Sequence, residues 1–184
     1  HCGNTCQRWK LVISHAENLW KMANLTGKYV PVSFLNHLCL RGTKYLSIQE
    51  ARLIKDEEFS DIQESKITNL NLYGFKNGYK NQVSDILEKL LKSCHFVKKL
   101  ALAKLVLNPN FQTGIVQNAS TLTVLNLWCC KGLTVDMIDV IFTNCQELTE
   151  VNIGGTSGLD IPSALSEEAV GIFCKKISPK LQKL

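Results

Sequence analysis

Apolar residues recur along this chain at a spacing that neither one helix nor one strand alone produces. Leu122-Thr-Val-Leu125-Asn-Leu127-Trp-Cys-Cys130 has the form L-x-x-L-x-L-x-x-C, and Leu148-Thr-Glu-Val151-Asn-Ile153 repeats it further along the chain. Val97, Leu100 and Leu102 carry the same spacing upstream, as do Ile67, Leu70 and Leu72. The key positions Leu70, Leu100, Leu125 and Val151 thus recur with a near-constant period, in the range of a structural repeat. Leu46-Ser-Ile48 and Ala23-Asn-Leu25 mark two fainter units before them, and Leu181-Gln-Lys-Leu184 opens another. A second marker keeps the same phase: Cys94, Ala119 and Cys145 each stand six residues before the next key position.

Side-chain direction explains the pattern. In L-x-L both apolar residues point to one face of a strand and the residue between them points to the other. Between strands the spacing turns helical, with Val83, Ile86, Leu87, Leu90 and Leu91 on one stripe and Met137, Ile138, Ile141 and Phe142 on another. A small residue at the marker position lets each helix end and turn tightly into the next strand. One unit cannot cover its own apolar face, so several must stack, each strand pairing in parallel with the next. The pattern is similar to the leucine-rich repeat. The expectation is an α/β fold, a leucine-rich-repeat solenoid with a curved parallel sheet on its concave side and helices outside. Five to six units occupy residues 21–184, the last truncated, and the open edge predicts marginal stability. The motif's ninth position holds Phe75, Leu105, Cys130 and Thr156, where Asn or Cys is usual. The acidic interval from Gln49 to Ser65, with Asp56, Glu57, Glu58, Asp61 and Glu64, reads as a solvated connection.

Composition narrows the picture. The 184 residues are 45% hydrophobic and 20% charged, enough to bury a core and too few charges for a disordered chain. The net charge of +5 is small and scattered along the sequence, so nucleic-acid binding is not expected. No apolar run approaches the roughly 18 residues that cross a bilayer, so no membrane partner is expected. The chain opens on His1 and stops inside a unit, which reads as a fragment of a longer protein. Its eight cysteines include no C-x-x-C; the repeat gives most of them a packing place, which points to a reducing nucleus or cytoplasm.

Catalytic constellations are not expected. His1, His15, His37 and His95 fall in different units, without metal-ligand spacing. Thr26-Gly27-Lys28 lacks the earlier glycine of a phosphate loop, Met22 standing there instead. Gly154-Gly155 with Gly158 lacks G-x-G-x-x-G spacing and reads as the bend after a strand. Cys129 and Cys130 read as buried, inert thiols. No cofactor, metal or catalytic residue is assigned.

Before the repeats, Trp9, Val12 and Ile13 lie at helical spacing, and Leu19 and Trp20 follow a polar break. On physics alone residues 1–20 hold a helix that caps the first edge of the stack. Cys6, Arg8, Trp9, Leu19, Trp20, Leu25, Thr26, Gly27 and Lys28 together resemble the junction where an F-box runs into leucine-rich repeats, as in the F-box/leucine-rich-repeat family. The resemblance implies that residues 1–20 are the end of an F-box, packed through Trp9, Leu19 and Trp20. It also implies a non-catalytic substrate-recognition subunit of an SCF-type ubiquitin ligase. Its partners would be a Skp-type adaptor and a cullin scaffold through the full F-box, a protein substrate, phosphorylated in many such receptors, and a Cks-type accessory protein. A leucine-rich scaffold or inhibitor without a ligase link is the alternative.

Strand parity places the binding surface. The residues facing away from the core are Asn71, Ala101, Asn126 and Asn152 in one column and Tyr73, Ala103, Trp128 and Gly154 in the next. Tyr73 and Trp128 are candidate aromatic anchors. Lys98, Lys99 and Lys104 are candidate cations for an acidic or phosphorylated segment.

Overall fold

A computed structural model describes residues 20–60, 62, 65–75, 82–155 and 180–183. The candidate F-box residues Trp9 and Leu19, and Thr156 of the ninth column, lie outside the described residues, as does the side chain of Val83.

The key apolar positions pair with one another. Strands β1 (Met22–Asn24), β3 (Tyr45–Ser47), β5 (Asn69–Asn71), β6 (Lys99–Ala101), β7 (Val124–Asn126) and β8 (Glu150–Asn152) form one parallel sheet in that order. Ala23, Leu46, Leu70, Leu100, Leu125 and Val151 stand opposite one another across all five interfaces. The two faint units are therefore strands of the same sheet, and Lys183 extends it by bridging Glu150. Helices α1 (Val32–Leu40), α2 (Gln82–Lys92), α3 (Pro109–Val116) and α4 (Val135–Asn144) form the second layer, α2 packing on α3 and α3 on α4. The chain is thus α/β, with a mostly parallel sheet. The stripes meet the sheet as their spacing predicts: Ile86, Leu87, Leu90 and Leu91 are buried, as are Met137, Ile138, Ile141 and Phe142.

One bend recurs after every strand. Four residues past each key position the backbone is left-handed, at Gly27, Glu50, Gly74, Lys104, Cys129 and Gly155, with φ between 51° and 67°. Gly27 and Gly155, weighed above as phosphate-loop glycines, belong to this column. The bend carries the ladder past the strand: the Lys104 amide donates to the Trp128 carbonyl at 2.9 Å, and the Cys129 amide to that of Gly154 at 2.9 Å. Residues at the irregular ninth position fold inward regardless of type, Phe75, Leu105 and Cys130 all being buried. The Cys130 thiol donates to the Leu102 carbonyl at 3.1 Å.

Two expectations need correction. The interval 49–65 is more than a solvated connection. Its β4 (Arg52–Ile54) pairs in parallel with β2 (Tyr29–Pro31), and it buries Leu53, Phe59 and Ile62. Its acids hold α1: Asp56 accepts from the Ser33 amide and hydroxyl, and Glu57 from the Asn36 amide group. The Ser33 contacts hold the Asp56 carboxyl below the usual carboxylate range. The small-residue marker also fails in one unit. Cys94 and Cys145 are fully buried, but Ala119 is only half-buried and Asn118 fills the inner place. The helix of that unit is the short one, α3, so the chain enters its turn earlier.

Asn118 does more than fill space. Its Oδ1 accepts from the Val97 amide at 2.9 Å, and its Nδ2 donates to the carbonyls of Cys94 at 2.7 Å and Gly114 at 3.0 Å. One side chain thereby ties two successive turns together. An Asn118→Ala variant strands those buried backbone groups and is expected to lose roughly 2–4 kcal/mol of stability. Urea unfolding followed by circular dichroism checks this; a loss near zero would remove Asn118 from this role.

The buried thiols make the fold sensitive to base. Burial pushes Cys39 up to about 12 and Cys94, Cys130 and Cys145 up to about 11. The folded state therefore holds thiol protons that the unfolded chain releases near its lower, ordinary pKa. Their stabilisation is full below about pH 8.5 and is lost as pH rises through the folded values. Urea midpoints measured from about pH 7 to about pH 10.5 should fall with increasing steepness in the upper half of that range.

Candidate functional site

The sheet face turned away from the helices is built from three outward columns. The Asn column does not project freely. Asn71 Oδ1 accepts from the Tyr73 amide, Asn126 Oδ1 from the Trp128 amide and Asn152 Oδ1 from the Gly154 amide, each at 3.0 Å. These bonds set the bend that follows each strand, a turn role to which Asn is suited. Asn71, Asn126 and Asn152 are thereby turn formers first, and Asn71 Nδ2 also donates to Gln49 Oε1 at 3.3 Å. Asn24 makes the same bond to the Thr26 amide.

The next column holds the aromatic residues. Tyr73 and Trp128 follow strands that flank β6, and their rings stack parallel, 3° apart in tilt with centroids 6.4 Å apart. Two strand spacings would separate them by roughly 9–10 Å if both stood upright. They lean together because the residue between them is Ala103, which is fully buried beneath the pair. On the other side of Trp128 stand Gly154 and Gly155. A Cβ at Gly155 would lie 3.4 Å from Trp128 Nε1 and 2.7 Å from Cys129 Sγ. The indole fits because both neighbours in its row are small.

Lys104 completes the cluster. Its ammonium lies 5.2 Å from the centroid of each ring, within cation–π range. A hydrogen bond with Tyr73, then the nearby Tyr73, Cys129 and Glu50 groups, holds its pKa above the ordinary lysine value. The left-handed backbone of Lys104, φ 62°, aims the side chain across the two rings rather than along the strand. Trp128 nonetheless keeps 36% of its surface exposed. The structure thus brings together Tyr73, Lys104 and Trp128 as one pad. Lys98 and Lys99 are exposed where β6 begins, and Asn152 lies on β8.

Sequence reasoning missed a third outward column, the residue before each key position: Met22, Tyr45, Asn69, Lys99, Val124 and Glu150. The same strand parity names it, one step earlier along each strand. Met22 is the most exposed of its apolar members at 71%. Trp20, expected to pack in the F-box remnant, is half-buried against Phe34 and His37 of α1, with ring centroids 6.4 Å and 5.3 Å away. Burial, helped by Arg41, lowers the His37 pKa.

Elsewhere, His95 meets the Gln117 amide, 2.6 Å from its Nδ1. Among the described residues no three His, Cys, Asp or Glu side chains gather in a way that could hold a metal. No described helix is long and apolar enough to cross a membrane. Cys130 is buried as expected, but Cys129 is half-buried beside the pad. No family model and no curated protein matches the chain.

Two outcomes follow from this geometry. Replacing Ala103 by Leu should wedge the rings apart without unfolding the chain, seen as altered near-ultraviolet circular dichroism with the far-ultraviolet spectrum retained. Of the five described cysteines, Cys129 should be the first alkylated by iodoacetamide at neutral pH, since the other four are buried and hold their protons. Peptide mapping by mass spectrometry reads this directly; faster labelling of Cys39 or Cys94 would contradict the burial described.

Proposed function

We propose that the chain is part of a leucine-rich-repeat solenoid whose strand face binds a protein partner, in the substrate-recognition subunit of an SCF-type ubiquitin ligase. The observation that carries the binding role is the Tyr73–Lys104–Trp128 pad. Two large aromatic side chains are stacked on each other, Trp128 exposed and Tyr73 half-buried, on a face built largely of polar columns. Preordered aromatic residues lose little entropy on binding, and such residues dominate measured binding energies. The six-strand register and the six left-handed bends support the repeat reading.

The ligase role rests on the resemblance of residues 6–28 to the F-box junction, including that of the S-phase kinase-associated F-box protein. In such receptors the F-box docks to a Skp-type adaptor, and the repeats present the substrate for ubiquitin transfer and proteasomal degradation. The chain itself supplies surface rather than chemistry, in the nucleus and cytoplasm. A Cks-type subunit and a cullin would join through the complete receptor.

Capture of the purified Skp-type adaptor by the full-length protein is the test. Capture lost on Trp9→Ala, with the far-ultraviolet spectrum unchanged, supports the ligase reading. No capture by the unaltered protein overturns it and leaves the repeat scaffold or inhibitor as the reading.

A further inference from the structure

Folding gathers charge that the sequence scatters. Lys21, Lys44 and Lys98 occupy the same position of three units, two residues before the key apolar residue. Their carbonyls belong to one backbone ladder: the amides of Lys44 and Tyr45 donate to Lys21, those of Thr68 and Asn69 to Lys44, and those of Thr123 and Val124 to Lys98. All three are exposed, as are Lys99 beside them and Lys104 at the opposite end of β6. Among the described residues the ion pairs are Lys55 with Glu58 and Lys180 with Glu147, so none of these five lysines is in an ion pair there, Lys104 feeling Glu50 only at longer range. The exposed acids Asp56, Glu57, Glu58, Asp85, Asp136 and Asp139 lie on or against the helices. Among the described residues the strand face keeps only Glu50 and Glu150. Among the described residues the strand face thus sets these five lysines against two glutamates.

We propose that this face takes an extended, Asp/Glu-rich segment of a partner protein, laid across the strands from Lys21 and Lys44 to Lys98 and Lys99. Lys104 and the Tyr73–Trp128 pad would receive an apolar or aromatic residue next to the acids. Three strand steps from β1 to β6 span ~14 Å, the reach of roughly four extended residues. Carboxylates suit the site better than phosphates because its lysines are spread singly over β1, β3 and β6, which matches a run of single negative charges, whereas one phosphate gathers several donors at one point. Arg41 and Arg52, whose forks could grip either group, lie away from this face, after α1 and in β4. A single file of lysines beside rings already stacked on each other also offers little to nucleic-acid bases, which bind by stacking on open aromatic faces.

This substrate class belongs to the binding face proposed above, and so rests on that reading. The test uses the whole 184-residue chain and a fluorescein-labelled dodecapeptide of alternating Glu and Ser around one Trp. The same peptide with Gln for Glu, a phosphoserine version and a single-stranded oligonucleotide of equal length serve as competitors. Fluorescence anisotropy at physiological salt compares Lys44→Gln/Lys98→Gln/Lys99→Gln with Lys55→Gln/Lys89→Gln/Lys92→Gln, which removes as many charges from the helix side. The strand-face variant is expected to bind at least about tenfold more weakly, and the helix-side variant to stay within about twofold. Overlaid far-ultraviolet spectra check that both are folded.

Equal weakening of the two variants, or equal binding of the Gln peptide, would show bulk attraction and overturn the proposal. So would no binding at millimolar peptide, or preference for the oligonucleotide. A phosphoserine peptide that binds an order of magnitude more tightly would overturn the carboxylate assignment. The adaptor is absent from this assay. Peptide binding without adaptor capture therefore sinks only the ligase role, and adaptor capture without peptide binding sinks only this inference.

Discussion

The structure depends on one bend, repeated six times. A strand of three residues is too short to hold a sheet together by itself, and each strand here has that length. The left-handed residue four positions past each key apolar side chain turns the chain, and from Gly27 to Cys129 it keeps its amide aimed at the next unit's carbonyl, so the ladder outlasts the strand. Gly27, Gly74 and Gly155 take this conformation freely, but Glu50, Lys104 and Cys129 carry a Cβ into it at a cost of about 1–2 kcal/mol each. The ladder bonds and the buried residues that follow these three bends, Ala51, Leu105 and Cys130, offset that cost. They explain why Phe75, Leu105 and Cys130 are equally acceptable at the ninth position: the site needs an apolar volume pointing inward, rather than one particular side chain.

The same bend organises the outer face. It swings Lys104 over two rings that follow the strands on either side of its own, and it places Trp128 between the small residues Ala103 and Gly154. Polar residues support the arrangement from below. Each Asn of the middle column fixes the bend of its own unit, and Thr68, Thr123 and Thr149 donate their hydroxyls to carbonyls of the preceding unit at 3.2, 3.0 and 3.1 Å. A surface whose polar groups are already used internally has little freedom to rearrange. What it displays is two aromatic edges and a file of lysines.

The helix layer tolerates variation that the sheet does not. The units are unequal in length, the one from Leu70 to Leu100 being the longest and the one from Ala23 to Leu46 the shortest, yet all deliver their key positions into one register. The differences are absorbed between strands, by a longer α2, a short α3 and the extra β2–β4 pair. Where α3 is short, Asn118 supplies three hydrogen bonds in place of a small apolar residue, closing the gap between turns. Glu88 of α2 plays a related part, accepting from Asn108 and Asn110 at the start of α3 at 2.6 Å and 2.8 Å. Asn108 also caps that helix, so one contact joins two successive helices.

The sequence by itself determined the six strands of the main sheet, their register and two buried stripes, but not the β2–β4 pair, because alternation along a strand and the helical period are local properties that a side chain expresses wherever it sits. It also named Tyr73 and Trp128, since strand parity decides which residues face outward, and Lys104 as a cation just beyond them. Only the tertiary structure decided that those three form one cluster, because they belong to three different units and meet through the emptiness above Ala103. The left-handed column was half visible in its glycines and hidden where Glu50, Lys104 and Cys129 replace them, for conformation there is imposed by the neighbouring unit's carbonyls. The charge pattern was invisible for the same reason. Lysines scattered from Lys21 to Lys104 become neighbours only when the strands that carry them are paired.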